Sequence, residues 1–221
     1  MTRTTFEHQL SEVQEDMLQM AEMVEAAIER GIEALRTRNV DLAREVIADD
    51  LKINQKRYEA EEKCLELIAT QQPLASDLRI IVSVLHITVD LERMGDHAEG
   101  IAKIALMLAD EPPLKPYIDI PRMAETATQM LMGSIEAFKQ RDSARARAIC
   151  DQDDEVDALY EQLYRELFTF MIGDPKTIER ATHLLWVAHN LERIADRVTN
   201  ICERVVYLVE GRIEELNVSK Y

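Results

Sequence analysis

Apolar residues recur every three or four positions along most of this 221-residue chain, which is the spacing of an amphipathic α-helix. The first helix is predicted from about Phe6 to about Arg38. Its apolar positions are Phe6, Leu10, Val13, Met17, Met20, Val24 and Ala27. Steps that alternate between four and three residues are typical of a helix that packs along its length against other helices.

Two further helices are predicted in the first half of the chain. The second follows the break at Asn39-Val-Asp41 and ends at Gln72-Pro73, because the residue before a proline is disfavoured in the α conformation. Its apolar stripe is assigned to Ile47, Leu51, Asn54, Tyr58, Leu65 and Ile68. The seam of the third is assigned to Val84, Ile87, Leu91, Met94, Ala98, Ile101, Ala105 and Leu108. Short connections between long helices favour antiparallel neighbours, and so a three-helix bundle.

A proline-rich stretch, Asp110–Pro116, separates the two halves of the chain and holds three of its 6 prolines. Such a stretch breaks helices and is predicted to be a semi-rigid linker. Residues 1–110 and 117–221 are therefore assigned to two domains. In the second half the pattern predicts a fourth helix ending near Arg141, a fifth from about Ser143 to Met171 and a sixth from Thr177 to about Arg212.

The two halves also share a sequence motif. Residues 87–101 read ITVDLERMGDHAEGI and residues 187–201 read VAHNLERIADRVTNI. At an offset of 100 residues, both contain Leu-Glu-Arg-x-x-Asp at the same helical phase, which chance similarity between amphipathic helices does not explain. The predicted fold class is all-α, with two tandem pseudo-symmetric three-helix bundles.

The composition narrows the classes of partner. Asp and Glu number 42 against 26 Lys and Arg, so the net charge is -16, which argues against binding to nucleic acid or to anionic lipid. No secretory signal or membrane-spanning segment is predicted. Cys64, Cys150 and Cys202 are far apart in sequence and are interpreted as free thiols. A cytoplasmic location is expected.

The repeated motif carries the candidate chemistry. Glu92 and Asp96 are four residues apart, so they lie on one face of the third helix and repel each other by a few tenths of a kcal/mol. A bound cation would relieve that repulsion. Arg93 is about 100° round the helix axis from Glu92 and is not predicted to neutralise the pair. The motif face is continued by an apolar stripe, Leu78, Val82, Leu85 and Val89, which predicts a partly enclosed site.

Other acidic and amide side chains are candidates to complete a site in each half. Asp50 and Asn54 on the second helix match Asp153 and Asp157 on the fifth, at an offset of 103 residues. The predicted metal ligands are Asp50, Glu92, Asp96, Asp153, Asp157, Glu192, Asp196 and Asn200. Oxygen ligands suit Mg, Mn, Ca or Fe. The alternative is that the acid pairs form a solvated helix face. A different face is assigned to solvent or to an interface, with His86, Asp90, Arg93 and His97 on the third helix and Trp186, Asn190, Arg193 and Arg197 on the sixth.

Two segments resemble the signatures of a known family. Gln71-Gln-Pro-Leu-Ala-Ser-Asp-Leu-Arg-Ile80 with Asp90-Leu-Glu-Arg-Met-Gly-Asp-His97 is similar to the first signature of the PhoU family, the phosphate-specific transport system accessory proteins. Asn190-Leu-Glu-Arg-Ile-Ala-Asp-Arg-Val-Thr-Asn-Ile-Cys-Glu203 is similar to the second. The resemblance extends from about Phe6 to Gly211. It implies a PhoU-like fold of two bundles side by side.

The resemblance also implies a function. Members of the family are negative regulators of the phosphate-starvation (Pho) regulon and of phosphate uptake, and they usually form homodimers. They act as cytoplasmic adaptors, peripheral to the inner membrane, between the ATPase of the phosphate ABC transporter and a sensor histidine kinase. Multinuclear clusters of divalent or trivalent cations (Mg, Mn, Fe or Zn) are held by their E-x-x-x-D motifs. One departure concerns Gly100, which stands where the first signature commonly has Asn, so Asn200 is expected to be a ligand in one half only.

Three hypotheses follow for the activity. The leading one is a non-enzymatic regulatory adaptor, since no nucleotide-binding glycine loop and no nucleophile–base arrangement can be identified in the sequence. The rival is a metal-dependent hydrolase of phosphate esters or polyphosphate, in which clustered cations activate water. The third is a structural helical module whose acid pairs are surface residues. No catalytic residue and no organic cofactor is predicted.

Overall fold

The computed structural model describes residues 3–216, and in this part of the chain the regular structure is entirely helical. The helices are α1 (Arg3–Thr37), α2 (Val40–Gln71), α3 (Ala75–Met107), α4 (Asp119–Gln140), α5 (Ser143–Cys150), α6 (Asp153–Gly173) and α7 (Ile178–Glu210), with a short 3-10 turn at Pro175–Thr177. Helices α1 to α3 form one bundle and α4 to α7 form the other. Among the described residues no helix is long and apolar enough to cross a membrane.

The turn after the first helix of each bundle shows that the repeat extends to local backbone geometry. Arg38 and Arg141 both adopt the left-handed conformation, with φ of 54° and 53°. The residues that follow them, Asn39 and Asp142, cap the next helix by accepting a hydrogen bond from a backbone N–H three residues later, at 3.0 and 2.9 Å. A side-chain cap satisfies a donor that the first turn of a helix otherwise leaves unpaired. The two halves therefore turn the chain by the same device.

The fifth predicted helix is wrong as a single element, because the chain breaks at Asp151–Gln152 into α5 and α6. The backbone tightens there: the N–H of Gln152 donates to Ile149 O, and that of Glu155 to Gln152 O, each three residues back. The break places Asp153, Asp154 and Glu155 in the first turn of a new helix. Negative charge is stabilised at a helix N-terminus, which accounts for a break within an acidic run.

The core confirms the predicted seam of the third helix and corrects that of the second. Every seam residue assigned on α3 is buried. On α2, by contrast, Leu51 is 72% exposed and Tyr58 and Leu65 are both more than half exposed. The buried face of α2 consists of Ala43, Val46, Asp50, Ile53, Ala60, Cys64 and Leu67. The predicted stripe is therefore rotated away from the true packing face, which carries a carboxylate in its middle.

The two bundles pack against each other mainly through the motif helices α3 and α7, and their buried residues form one continuous cluster. The linker that joins them is held by charge. Lys115, nearly buried, donates to Asp119 at the start of α4, at 3.0 Å, and to Glu166 on α6. The packing of α3 against α7 brings the two motif helices side by side.

Candidate functional site

The first acidic cluster lies between α2 and α3 and consists of Asp50, Asn54, Glu92, Asp96 and Glu99. Asp50 is 7% exposed. Burial raises its pKa, and the negative charges of Glu99, Asp96 and Glu92 raise it further. The structure therefore brings Asp50 together with both carboxylates of the first motif, as predicted, and adds Glu99, which sequence reasoning missed.

Gly95 permits this close approach of α2 to α3. A Cβ atom at position 95 would lie 3.3 Å from Asp50 Oδ1 and 3.2 Å from the side chain of Ile53, tighter than ordinary packing. Glycine in a helix interior costs up to about 1 kcal/mol relative to alanine. Gly95 is nevertheless present, one residue before Asp96, because it leaves room for the carboxylate of Asp50.

Two oxygen atoms in the first cluster lack hydrogen-bond donors. Asp50 Oδ2 accepts a hydrogen bond from Asn54 Nδ2 at 2.8 Å. Asp50 Oδ1 and Asn54 Oδ1 are both buried and have no partner within the described part of the chain. A buried acceptor without a donor costs about 1–3 kcal/mol. These two atoms lie among three further carboxylates, of which Asp96 is 3.3 Å from Arg93 and Glu99 is 2.6 Å from Lys103. Oxygen atoms gathered in this way suit a cation.

The second acidic cluster lies between α6 and α7 and consists of Asp153, Asp157, Glu192 and Asp196. Burial raises the pKa of Glu192 to about 7, and Asp196 contributes most of the repulsion that adds to it, ahead of Asp157 and Asp153. Asp153 is buried in the first turn of α6, whereas its counterpart Asp50 lies within α2. The two clusters thus share their ligand pattern but differ in the helix position of one acid.

The arginine of each motif lies closer to the acids than the sequence predicts. Arg93 Nη1 lies 3.3 Å from Asp96 Oδ2, and Arg193 Nη1 donates to Asp196 Oδ2 at 2.6 Å. The prediction that Arg93 is not a partner was wrong, because residues three apart are neighbours on a helix surface and a long guanidinium side chain covers the remaining angle. His189 Nδ1 also lies 3.2 Å from Glu192 Oε2.

Asn200 bonds across the interface between the repeats. Its Nδ2 donates to Asp90 Oδ1 at 3.1 Å, and Arg197 Nη1 donates to the same oxygen at 3.3 Å. At the matching positions, His97 Nδ1 lies 2.9 Å from Asn190 Oδ1. Part of the face that was assigned to solvent or to an interface therefore lies between α3 and α7. Arg93 and Trp186, on the same face, are more than half exposed.

An open cavity of about 890 Å³ adjoins the second cluster. Its walls include Asp157, Glu192, Asp196, Asn200 and Glu203 from the helices, and Ile213, Glu214 and Glu215 from the segment after α7. That segment is anchored: the N–H of Leu216 donates to Glu203 at 3.0 Å, and Arg147 donates to Glu214 at 2.8 Å.

The side chains are not arranged as a closed metal site. Within residues 3–216, no three or more His, Cys, Asp or Glu side chains are placed to hold a metal ion in their present conformations. The structure therefore gathers Asp50, Glu92 and Asp96 in one place and Asp153, Asp157, Glu192 and Asp196 in another. Metal binding at either place stays a prediction.

The sequence matches the family model described as "PhoU domain" twice, over residues 17–105 and 120–205. The two matches fall on either side of the linker, one on each bundle. The chain is 46% identical over 205 residues to the phosphate-specific transport system accessory protein PhoU homolog of Aquifex aeolicus, covering 93% of both proteins. It is 38% identical to the homolog of Clostridium acetobutylicum over 98% of this chain and 100% of that protein.

Two crystal structures have the same fold. PhoU from Pseudomonas aeruginosa superposes with a TM-score of 0.90 at 35% identity, covering 94% of this chain and 100% of that one. The phosphate transport system regulatory protein PhoU from Streptococcus pneumoniae gives a TM-score of 0.88 at 32% identity, over 95% and 99% of the chains. With the two motifs, the two bundles and these matches in agreement, the chain belongs to the PhoU family.

Proposed function

We propose that this chain is a cytoplasmic regulatory adaptor of phosphate-specific transport that represses phosphate uptake and the phosphate-starvation regulon. It does so by binding the ATPase subunit of the phosphate ABC transporter and a sensor histidine kinase. The observation that carries the proposal is the similarity over nearly the full length to proteins named as accessory or regulatory components of phosphate transport.

Binding to the two partners tests this function directly. The full-length chain is immobilised and mixed separately with the purified transporter ATPase and with the cytoplasmic part of the kinase, at low and high phosphate. Capture of both partners is expected, and sedimentation of the chain alone is expected to show a homodimer. If neither partner is captured at either phosphate concentration, the adaptor hypothesis fails.

Cations bound at the acidic clusters are the second part of the proposal. The first repeat would hold cations through Asp50, Asn54, Glu92, Asp96 and Glu99, and the second through Asp153, Asp157, Glu192, Asp196 and Asn200. The buried Asp50 Oδ1, which has no donor in the described residues, and the raised pKa of Glu192 support this. Bound cations would neutralise the crowded carboxylates, and Arg93 and Arg193 would release their aspartates to make room.

Metal content distinguishes this proposal from a solvated acidic face. The pairs Glu92→Ala/Asp96→Ala and Glu192→Ala/Asp196→Ala remove one motif each. Glu62→Ala/Glu66→Ala is the matched control, because it removes an exposed i, i+4 acid pair from α2. After mild purification and incubation with Mn²⁺ or Fe³⁺, each motif variant is expected to lose about half of the protein-bound metal. Unchanged metal content in both motif variants would show that the clusters bind none.

The hydrolase hypothesis is supported by the open cavity beside the second cluster, which is large enough for a small phosphate ester. Its walls argue against that substrate, since they carry eight carboxylates and only two cationic side chains, Arg193 and Arg197. Arg193 is engaged by Asp196 and Arg197 by Asp90. A phosphate assay on the Mn²⁺-loaded protein with a model ester is expected to show no turnover.

A further inference from the structure

A groove lies between α1 and α4, the first helices of the two bundles, and it contains no residue of either acidic cluster. It has a volume of about 470 Å³ and is lined by the last third of α1 and the first half of α4. Cavities of this size are within the range of ligand-binding sites. Because the groove crosses from one repeat to the other, it exists only in the folded full-length chain.

The floor of the groove is apolar. Ile32 and Ala124 are 8% and 7% exposed, and Thr128 is buried beside them. Pro121 and the half-buried Met132 extend this surface along α4. A floor of this kind gains free energy when another apolar surface covers it, by roughly 25 cal/mol for each Å² removed from water.

The rim of the groove is acidic and lacks compensating charge. Four glutamates line it, Glu25, Glu29, Glu33 and Glu125. The cationic side chain in the lining, Arg36, is used by Glu33, to which it donates at 2.9 and 2.7 Å. Within residues 3–216, Glu25 and Glu29 have neither an ion pair nor a hydrogen bond from a side chain.

The crowding of these acids has an electrostatic cost. Burial raises the pKa of Glu25, and the neighbouring Glu29 and Glu22 raise it further, with no cationic group acting in the opposite direction. Asp16, a partly buried acid elsewhere in the structure, forms ion pairs with Lys56 and Lys63. The groove therefore combines an apolar floor, partly exposed at Pro121 and Met132, with negative charges whose complement is missing from the described chain.

We propose that the groove between α1 and α4 binds a basic amphipathic helix of a partner protein. An apolar stripe of that helix would rest on Ile32, Ala124 and Met132, and Lys or Arg side chains beside the stripe would face Glu25 and Glu29. Residues 25–36 of α1 span roughly 16 Å, which is about three turns of a helix. An amphipathic helix laid in an apolar groove is a recurrent mode of recognition, with anchors spaced by three or four residues.

A basic amphipathic helix covers the apolar floor and neutralises the acidic rim, whereas a simpler ligand does only one of the two. A small inorganic cation would neutralise the rim and leave the exposed parts of Pro121 and Met132 in water. An uncharged apolar segment would cover the floor and desolvate Glu25 and Glu29 without a counter-charge, which is costly. The proposal is independent of metal at the acidic clusters, and its failure leaves capture of the transporter ATPase and the kinase to be decided separately.

The test uses a synthetic peptide of about 15 residues made of Leu and Lys, with the leucines on one helical stripe and a fluorescent label. A peptide of the same composition in scrambled order has the same charge and no stripe. Fluorescence anisotropy with the full-length protein at about 0.15 M salt gives the affinities, since this salt screens non-specific attraction. The stripe peptide is expected to bind about ten-fold more tightly than the scrambled one.

Two variants of equal charge separate the groove from the acidic surface in general. Glu25→Gln/Glu29→Gln removes two charges from the rim, and Glu62→Gln/Glu66→Gln removes two from the outer face of α2. The rim variant is expected to weaken binding of the stripe peptide by about ten-fold and the control by less than about two-fold. Equal weakening by both variants, or equal binding of the scrambled peptide, would overturn the proposal.

A photo-crosslinking group on the stripe of the peptide locates the contact without relying on any variant. Crosslinks are expected on α1 between residues 25 and 36 and on α4 between residues 121 and 132. Crosslinks confined to the motif helices would show that the peptide binds the acidic clusters instead, and the groove would then have no role in its recognition.

Discussion

Asn200 of the second repeat donates a hydrogen bond to Asp90 of the first, with 3.1 Å between Nδ2 and Oδ1. Arg197 donates to the same carboxylate oxygen at 3.3 Å. Burial raises the pKa of Asp90, and these two donors act against that rise. The asparagine that follows the second motif therefore joins the two motif helices, in addition to lining the cavity beside the second cluster.

Replacing Asp90 should destabilise the protein more than replacing Asn200. Asp90→Ala leaves the guanidinium of Arg197 and the amide of Asn200 without their common acceptor, at an expected cost of about 3 kcal/mol. Asn200→Ala removes one hydrogen bond to a charged group, at about 1–2 kcal/mol. Urea unfolding measures both. Asp110→Ala, at an exposed acid of the linker, is the control and should change stability by less than about 0.5 kcal/mol.

Glu192→Gln should stabilise the metal-free protein at neutral pH. The carboxyl of Glu192 holds its proton up to about pH 7 in the folded state but only to about 4.5 otherwise. Between these values the folded protein binds more protons than the unfolded chain, so its stability falls as the pH rises. A glutamine does not titrate, and the variant should be more stable by about 2 kcal/mol at about pH 8. Thermal unfolding in a chelating buffer, followed from low pH upwards, should show this advantage growing.

Added metal should reverse that order if Glu192 is a ligand. A cation that binds only the folded state stabilises it according to its concentration and affinity. The wild-type protein should therefore gain melting temperature on addition of Mn²⁺, and Glu192→Gln should gain much less. Equal gains in the two proteins would place the metal elsewhere.

Introducing asparagine at Gly100 should not create a better first site. A Cβ atom there would lie 3.3 Å from Asn190 Oδ1, so a larger side chain would push α3 away from α7. Gly100→Asn is expected to lower stability by about 1–3 kcal/mol without increasing metal content. Gly100→Ala is the smaller control, in which a gain in helix propensity of about 1 kcal/mol opposes the tight contact. Higher metal content in Gly100→Asn would contradict this placement.

Lys115→Met should release the linker from the second bundle, where both partners of Lys115 lie. It leaves Asp119, which is nearly buried, without its cation, and the expected loss of stability is about 3 kcal/mol. Glu166→Gln removes the other partner of Lys115, but this side chain is 40% exposed and the loss should be below about 1 kcal/mol. Urea unfolding measures both variants. A similar loss of stability in the two would show that the ion pair with the buried Asp119 contributes no more than the pair with the partly exposed Glu166.

The helices and the repeat could be predicted because their signals are local and occur twice. The seam of α3 contains only apolar residues, so periodicity alone identifies its buried face. On α2, periodicity selects the wrong face, that of Leu51, Tyr58 and Leu65. The face that is buried includes Asp50 and therefore has a weaker apolar pattern. The hydrophobic pattern does not distinguish a buried carboxylate from one at the surface. Asp50 can be buried because Gly95, on another helix, leaves room for it.

The candidate site was predicted less completely for similar reasons. The pairing of Glu92 with Asp96 and of Glu192 with Asp196 follows from helical spacing. Glu99 was missed because its role depends on the approach of α2. The interface role of Asn200 was missed because its partner, Asp90, is 110 residues away. Contacts between the repeats have no periodic signal, and only the matching positions in the two motifs indicate them.

The contact between α3 and α7 has a consequence for the origin of this chain. Position 90 faces positions 197 and 200, and position 190 faces positions 97 and 100, so the surface is self-complementary in the manner of a two-fold homodimer. A single ancestral repeat could have met a second copy of itself in this way before a gene duplication fused them. Once two repeats are fused in one chain, their sequences can differ at this contact. One half of the contact is a charged pair, Asp90 with Arg197. In the other half, the neutral amide of Asn190 lies against His97 and Gly100. Within one polypeptide, the two repeats therefore meet through two related but chemically different contacts.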